Sequence, residues 1–277
     1  MKIVGVVLVR NEDRFISSVL ESIHEGCDSI LVMDHSSRDR TLEKAKDFAQ
    51  KSSKLMIRTI HNARESHALL QPWIGTDTWI FAVDGDEIYD PVRTPELMNQ
   101  LRKGQWKDYF RVKGHSFHVA SLGPPLKGYL APPARPVVKL FNFSLLEEWK
   151  GAYHRLHGGK PRFREGSSGE ILNLRDWYDF HQSPLRCLHF PFMRRTSKAD
   201  KENGRLNISD RVAAGKKKKI LWKIKSFVGV PVKSPGKDKN YRFGEEVALS
   251  CEDLGGFSHF EYLLNESRAR SVPAAAL

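Results

Sequence analysis

Residues 3–12, IVGVVLVRNE, decide the fold of this chain. The run Ile3–Val9 is apolar and mostly β-branched, which is typical of a strand buried on both faces of a parallel sheet. Apolar residues then recur at helical spacing between Asp13 and His24. The chain therefore begins with a strand, a short polar turn and an amphipathic helix.

The same strand and helix pattern repeats along the first 90 residues. Further strands are predicted at Ser29–Met33, Lys54–Ile60 and Trp79–Val83, and helices at Thr41–Lys51 and Arg64–Ile74. This order predicts an α/β fold, a Rossmann-like, mostly parallel central sheet flanked by helices. A helix at Pro95–Lys103, strands at 108–120 and 135–143 around a Gly/Pro-rich loop at 122–136, and a strand around Cys187–Phe190 are predicted to follow.

Charge divides the chain into two unequal parts. The 277 residues are 40% hydrophobic and 28% charged, which excludes a mostly disordered chain, a collagen-like chain and a bare coiled coil. The net charge is +12, and residues 194–239 hold fifteen Lys or Arg against four Asp or Glu. We therefore expect a near-neutral α/β domain at 1–193 and a basic, partly helical, less regular extension at 194–277 that would meet any anionic partner.

Cysteine usage and hydropathy indicate a cytoplasmic protein. The three cysteines are widely spaced and form no Cys-x-x-Cys pair, so neither a disulfide framework nor a zinc ribbon is expected. No apolar run reaches the length of a membrane-spanning helix. The basic amphipathic stretch 216–228 is typical either of peripheral contact with an anionic inner membrane face or of a helix packed on the core.

Carboxylates cluster where the fourth strand ends. Asp84-Gly85-Asp86-Glu87 follows the strongly apolar Trp79–Val83. Two acids separated by one residue can converge on one hard cation, and oxygen ligands suit Mg²⁺ or Mn²⁺ shared with phosphates. Asp84 and Asp86 are the predicted metal ligands, and Gly85 lets a ligand approach the backbone. The alternative is a solvated acidic turn.

Two other strand ends carry polar groups. Asp34 ends the second strand, where an acid can accept a hydrogen bond from a nucleobase or a ribose hydroxyl. Arg10-Asn11-Glu12 ends the first strand, and ligand contact and helix capping by Asn11 are equally open. Asp39 and Thr41 are expected to cap the following helix.

Together these strand ends resemble the GT-A fold of glycosyltransferase family 2. The shared pattern is an apolar strand ending in Arg10-Asn11-Glu12, a strand leading into Asp34–Thr41 without the usual glycine, and an apolar strand ending in Asp84–Glu87. The resemblance covers about the first 190 residues. It implies a metal-dependent transferase that moves a sugar from a nucleoside diphosphate to a hydroxyl acceptor with inversion at the anomeric carbon.

The resemblance also implies roles for individual residues. Asp34 would hold the base, usually uracil, and Asp86 would bind the metal that bridges the diphosphate, with Asp84 near the ribose and metal. His189, in a His-aromatic segment that closes the donor site, would complete the metal shell, although a partly buried core histidine is an equal alternative. Residues implied around the nucleotide-sugar are Val9, Arg10, Asn11, Glu12, Gly85, Arg64, Arg194 and Lys201, with Arg195 as a further cation.

The catalytic base stays open. An acceptor hydroxyl must lose a proton during attack, so a base is needed near the sugar. His154, Glu148 and Asp179 are the candidates. The segment Trp149–His154 is similar to one that often ends in His-Glu, and Arg155 stands where that Glu is common.

Partners follow from the same expectations. The donor is a nucleoside-diphosphate sugar, and the acceptor is a carbohydrate or a lipid-linked molecule of polysaccharide or glycolipid synthesis. Nucleic-acid binding through the basic band is an alternative, but no nucleic-acid module is recognisable. Sugar-phosphate nucleotidyl transfer usually needs a glycine-rich loop after the first strand, where this chain has Arg10–Asp13.

Overall fold

The structure is a computed structural model that describes residues 1–62, 64–123, 125–130, 137–198 and 246–260. Its strands are β1 (Lys2–Val9), β2 (Ser29–Asp34), β3 (Leu55–Thr59), β4 (Thr78–Asp84), β5 (Glu87–Tyr89), β6 (Arg111–Ser121), β7 (Leu126–Leu130), β8 (Val137–Asn142), β9 (Leu146–His154), β10 (His157–Phe163), β11 (Ile171–Asn173), β12 (Arg186–His189) and β13 (Glu246–Leu249). Its α-helices are α1 (Ile16–His24), α2 (Thr41–Gln50), α3 (Glu65–Ala68), α4 (Arg93–Arg102) and α5 (Cys251–Leu254). Lys201 and the stretch 216–228 lie outside the described residues.

One large sheet organises the molecule. Strands β3, β2, β1 and β4 lie side by side in this order and run parallel. Beyond β4 the sheet continues through β8, β6, β7 and β13, all in antiparallel pairs. The predicted α/β architecture, a Rossmann-like sheet consistent with the GT-A fold, is confirmed, and the parallel pairing is concentrated in its first four strands.

Alternation along the strands gives the sheet two buried faces. Val7 on β1 and Phe81 on β4 belong to the core that α1 and α4 cover. Val6 and Ala82, their neighbours in sequence, belong to the core on the opposite face. Because successive side chains of a strand point to opposite sides, the apolar runs fill both cores, as expected of a strand covered on both faces.

The second face is covered by a hairpin that stands apart from the large sheet. Among the described residues, strands β9 and β10 pair only with each other, in antiparallel register. Trp149 of the hairpin is fully buried and packs against Phe110 and Phe141 of the sheet side. The hairpin therefore forms a lid of backbone and aromatic side chains over the C-terminal halves of β1 and β4.

Two predicted elements differ in the structure. The helix predicted at Arg64–Ile74 is the short α3, followed by a 3-10 turn at Gln71–Trp73. Pro72 explains the break, because proline has no amide hydrogen to continue an α-helix. The loop predicted at 122–136 contains β7. Within the described ranges, no helix is long and apolar enough to cross a membrane.

Candidate active site

Strand register brings the predicted polar residues to one edge of the sheet. Val9 at the end of β1 pairs with Asp34 on β2, and Leu8 pairs with Asp84 on β4. Asp86 follows two residues after Asp84. The carboxyl ends of β1, β2 and β4 are thus adjacent, which is where parallel α/β sheets bind their ligands.

Hydrogen bonds tie the first two of these strand ends together. The Asn11 backbone, at a φ of 55°, donates its amide to Ser37 Oγ at 2.9 Å, and the Arg38 amide donates to Asn11 Oδ1 at 2.7 Å. The Glu12 amide donates to Thr41 Oγ1 at 2.7 Å. Asn11 therefore shapes the loop and does not cap α1. The N-cap residue of α1 is Phe15, whose side chain makes no capping hydrogen bond.

Asp34 is buried at this junction and retains acceptor capacity. Its carboxylate accepts the Ser37 amide at 3.1 Å, and the backbone oxygen of Val9 accepts the His35 amide at 2.8 Å. A carboxylate has about four acceptor positions, so the contact with Ser37 leaves room for a ligand donor. Asp39, by contrast, accepts the Thr41 amide and hydroxyl at the start of α2. The N-cap residue of α2 is Arg40, without a side-chain cap, and Thr41 is its first residue, so neither predicted residue is the N-cap.

Asp84 lies between two buried cations. Lys139 Nζ is 3.1 Å from its Oδ2, and Arg155 Nη2 donates to its Oδ1 at 2.7 Å. The ammonium also lies 2.5 Å from Oε2 of Glu87, which is as buried as Lys139 itself. Burial alone would raise the pKa of Asp84, but Lys139 and Arg155 hold it well below its usual value. Asp84 therefore stays ionised near neutral pH, and Lys139 and Arg155 balance its negative charge.

The position of Arg155 is built by α3 and the hairpin. The Arg155 backbone has a φ of 36°, which is strained for a residue with a Cβ. Ser66 Oγ accepts its amide at 2.7 Å, and the His67 ring nitrogen Nδ1 lies 2.6 Å from its carbonyl oxygen. The other ring nitrogen of His67 lies 2.9 Å from the carbonyl oxygen of Trp149. These contacts fix Arg155 in a conformation that it would not adopt by itself.

Asp86 belongs to a separate group on the other side of Asp84. Its Oδ2 is 3.4 Å from His189 Nε2 and 3.0 Å from Arg195 Nε. Arg195 Nη1 also donates to Glu12 Oε1 at 3.3 Å. Burial would raise the pKa of Asp86, but His189 and Arg195 lower it overall, and the pKa of His189 is raised in turn.

Strand pairing explains why Asp86 and His189 meet. Strand β12 pairs with β5, opposing His189 to Glu87, and with β6, opposing His189 to His118. The Phe190 amide donates to the carbonyl oxygen of Asp86 at 3.0 Å. The two imidazoles share a 2.9 Å contact between their Nδ1 atoms. This leaves His189 Nε2 directed toward Asp86.

Gly85 is required by close packing. An added Cβ at this position would lie 1.9 Å from Glu12 Oε2 and 2.7 Å from Val9 Cγ1. The turn after β4 thus packs directly on the turn after β1, and only glycine allows this approach.

Asp86 and His189 fit a divalent cation, whereas Asp84 has other partners. Asp86 Oδ2 is buried and, among the described residues, has ion-pair contacts with Arg195 and His189 but no hydrogen bond of good geometry. Carboxylate oxygen and imidazole nitrogen are suitable ligands for Mn²⁺. Among those residues no group of three or more His, Cys, Asp or Glu is placed to hold a metal. The described part of the chain therefore offers two ligands here, with the remaining positions open to other oxygen donors.

The remaining predicted residues are scattered. His154 is half-buried beside Arg155, and burial, Arg155 and His157 lower its pKa to about 4. Glu148 pairs with Lys150 and Arg162 on the exposed hairpin. Asp179 accepts the Gln182 amide and influences the pKa of His115. Arg64 is exposed at the start of α3, and Arg10 is exposed at the sheet edge. Arg194 donates to the Lys198 carbonyl oxygen.

Three residues of this region were missed by sequence reasoning. Lys139, Arg111 and His118 all lie on strands that cross near the ends of β1 and β4. The sequence carries a signal for Lys139, because this residue interrupts the otherwise apolar run of β8. A lone lysine at an inward position needs a buried partner. The partners themselves come from β4 and β5, and no local pattern announces them.

Comparison with known proteins gives distant structural likeness. No family model matches the chain, and no curated protein matches it. Glucosyl-3-phosphoglycerate synthase from Mycobacterium tuberculosis, solved with Mn²⁺, UDP and glucosyl-3-phosphoglycerate, is 17% identical, with 84% of this chain and 81% of that chain covered and a TM-score of 0.41. A mannosyltransferase from Pyrobaculum calidifontis, solved with GDP-mannose and Mn²⁺, is 13% identical, with 100% and 76% covered and a TM-score of 0.44.

A third solved structure is an enzyme of another kind. The 4-diphosphocytidyl-2C-methyl-D-erythritol synthase from Anaerococcus prevotii is 11% identical, with 52% of this chain and 71% of that chain covered and a TM-score of 0.32. Similarity at this level identifies neither a family nor a substrate, so the function has to be inferred from the residues of the site.

Proposed function

We propose that the chain is an inverting glycosyltransferase that moves a sugar from a nucleoside-diphosphate sugar to an acceptor hydroxyl. The observation that supports this most is the meeting of two unlike groups at one sheet edge. A buried acid with free acceptor capacity, Asp34, lies on one side, and the Asp86–His189 pair lies on the other. In a bound nucleotide the nucleobase would contact the first group and the diphosphate the second.

The donor site in this proposal runs along the ends of β2, β1 and β4. Asp34 accepts a hydrogen bond from the base, for which we propose uracil, and Val9 to Glu12 line the base and ribose. Arg64 and Arg194 are exposed cations that suit phosphate contact. Lys201 stays a prediction outside the described residues.

Asp86 and His189 are the proposed ligands of Mn²⁺ or Mg²⁺. When bound, the cation supplies a positive charge that stabilises the negative charge growing on the leaving phosphate. Arg195 lies against the same carboxylate and adds a second positive charge on that side. Asp84 lies beside these ligands, held in a fixed position by Lys139 and Arg155.

His154 is the proposed base. Its lowered pKa keeps the imidazole neutral near pH 7, so that it can accept the acceptor's proton. The nearby Arg155 makes it a weak base, and an incoming anionic substrate would strengthen it by raising its pKa. Glu148 is engaged with two cations on the exposed hairpin, and Asp179 lies beside His115, which makes both weaker candidates.

The acceptor is proposed to be a carbohydrate or a lipid-linked molecule at the cytoplasmic face of a membrane. The support is the basic amphipathic composition of 216–228. Flotation with anionic vesicles tests this part separately: binding that persists after deletion of 216–228 contradicts it.

The test of the transferase proposal is Asp86→Ala, with Asp77→Ala as the matched control. Asp77 precedes β4, at the opposite edge of the sheet from Asp86, and its side chain is 72% exposed. Turnover, measured first as hydrolysis of UDP-, GDP- and dTDP-sugars with Mn²⁺, should fall about 100-fold or more in Asp86→Ala, since metal stabilisation contributes several kcal/mol. Near wild-type turnover in Asp86→Ala would refute the metal assignment.

Donor binding is checked by melting temperature. Mn²⁺ with the correct nucleoside diphosphate should raise the melting temperature of the wild type and of Asp77→Ala. No rise with UDP, GDP or dTDP would contradict the proposed donor site.

A further inference from the structure

A cavity on the hairpin side of the sheet is not used by the donor scheme above. It has a volume of about 430 Å³ and lies between the sheet and the turn that joins β9 to β10. This volume is within the range of small-molecule sites. Asp84 stands at its edge, and its other polar walls are Arg111, Lys139, Arg155 and His157.

Two of the three permanent cations in this wall are already paired. Lys139 contacts both Asp84 and Glu87. Arg155 uses one terminal nitrogen on Asp84 and the other on the carbonyl oxygens of Val6 and Val83, at 3.3 and 2.6 Å. Its Nε is buried and has no hydrogen-bond partner in the described part of the chain.

Arg111 is the cation without a counter-charge. No carboxylate of the described residues lies within ion-pair distance of it, and its Nε is also buried and without a hydrogen-bond partner there. Its guanidinium carbon instead lies 4.8 Å from the ring centre of Phe110 and 6.0 Å from that of Trp149. Burial lowers the pKa of Arg111, yet arginine stays charged in proteins.

A half-buried guanidinium held on aromatic rings is prepared for an anion. The rings restrict its orientation, and its planar fork matches a phosphate or a carboxylate. The three cations of this wall have two carboxylate partners, Asp84 in the wall and Glu87 behind Lys139, so one negative charge in the cavity would complete the balance. Neither Arg111 nor Arg155 has an acceptor for its buried Nε among the described residues, so both guanidinium groups keep unused hydrogen-bonding capacity.

We propose that this cavity binds a phosphate or carboxylate group of the acceptor, with Arg111 as its principal contact. The proposal rests on the proposed transferase function, because it assigns the acceptor side of the same site. The donor's diphosphate is assigned to Asp86 and His189, which contact Arg195 and His118 and do not line this cavity. The proposed base, His154, precedes Arg155, whose side chain lines the cavity.

The experiment compares three ligands on the full chain: inorganic phosphate, acetate, and UDP with Mn²⁺. Arg111→Gln removes the charge, Arg111→Lys keeps the charge but removes the fork, and Arg162→Gln removes an exposed arginine from the outside of the hairpin. Circular dichroism checks that each variant is folded. Binding is measured by calorimetry and by the rise in melting temperature.

We expect phosphate or acetate to bind the wild type and Arg162→Gln. The affinity should fall about tenfold or more in Arg111→Gln, and by less in Arg111→Lys. The affinity for UDP with Mn²⁺ should stay within about twofold in all three variants.

Three results would overturn the inference, and they separate it from the proposed function. If neither anion binds the wild type while UDP with Mn²⁺ does, the anion site is wrong and the transferase proposal stands. If Arg111→Gln weakens UDP binding as much as anion binding, the cavity belongs to the donor. If UDP, GDP and dTDP all fail to bind, the proposed function fails, and the acceptor assignment fails with it whether or not phosphate binds.

Discussion

Removal of the Lys139 ammonium should destabilise the protein strongly, and Lys139→Met is the variant that tests it. Lys139 and Glu87 have side chains only 4% and 3% exposed, and the ammonium lies 2.5 Å from Glu87 Oε2. Without Lys139, Glu87 keeps the Tyr89 hydroxyl at 3.0 Å and the weak contact of the Asp84 amide at 3.3 Å. A buried carboxylate would then have no cation in contact.

The size of the effect follows from this burial. Removing one partner of a buried ion pair costs about 3–5 kcal/mol. Asp84 adds little to the loss because its side chain is 41% exposed and Arg155 still holds it. We therefore expect the free energy of unfolding to fall by about 3 kcal/mol, which corresponds to about 6–12 °C in melting temperature for a domain of this size.

The double variant Lys139→Met/Glu87→Gln separates loss of the charge pair from loss of packing. An uncharged pair of similar volume removes the unpaired charge, so most of the lost stability should return.

The pH dependence of stability has a defined sign. The pKa of Asp84 lies below its usual value, so its share of the stability is present above about pH 4 and is lost below it.

Urea unfolding followed by circular dichroism measures these differences. A loss below about 1 kcal/mol in Lys139→Met would refute the reasoning, because such a value is typical of an exposed ion pair. Equal and additive losses in Lys139→Met and Glu87→Gln would refute it as well, because they would show that the two groups do not interact.

Two further predictions concern other parts of the molecule. Gly85→Ala should weaken binding of UDP with Mn²⁺ by about tenfold or more, because its Cβ would lie 1.9 Å from Glu12 Oε2 and a displaced carboxylate misplaces the site. Calorimetry checks this. Gly104→Ala is the control for a glycine away from the site: its added Cβ meets no atom within 4 Å, although its φ of 86° strains the backbone. Burial and nearby Arg175 lower the pKa of His115 to about 4, so the unfolded chain takes up this proton first and stability is lost as pH falls from about 6.5 toward 4. In urea unfolding at pH 7 and pH 5 the wild type should lose about 1 kcal/mol more than His115→Gln, and equal losses would contradict the pKa shift.

The parallel part of the fold could be predicted because its information is local. The runs Ile3–Val9 and Trp79–Val83 are uniformly apolar, and such runs have few alternatives to a doubly covered strand. Their order with the intervening helices fixes which strand ends share an edge. The proximity of Asp34, Glu12 and Asp86 followed from that order alone.

The second half of the site could not be predicted in the same way. Strand β12 joins β5 to β6, and the hairpin of β9 and β10 packs on a face of the sheet without pairing to it. These contacts join residues far apart in sequence, and their partners are chosen by packing rather than by a local pattern. His189 was predicted from a resemblance, but its contact with His118 depends on this long-range pairing.

Arg155 shows what a single unexpected residue can reveal about the chemistry. A glutamate at its position would stand near the ionised Asp84 in a largely buried setting, and each carboxylate would raise the other's pKa. Arginine removes that repulsion, but it cannot act as a base in the reaction that we propose, and His154, its neighbour in sequence, is the base that we propose instead. The same guanidinium leaves its Nε without a partner among the described residues, beside Arg111 in the cavity wall. If the cavity is the acceptor site that we propose, the cation at position 155 favours an acceptor that carries its own negative charge.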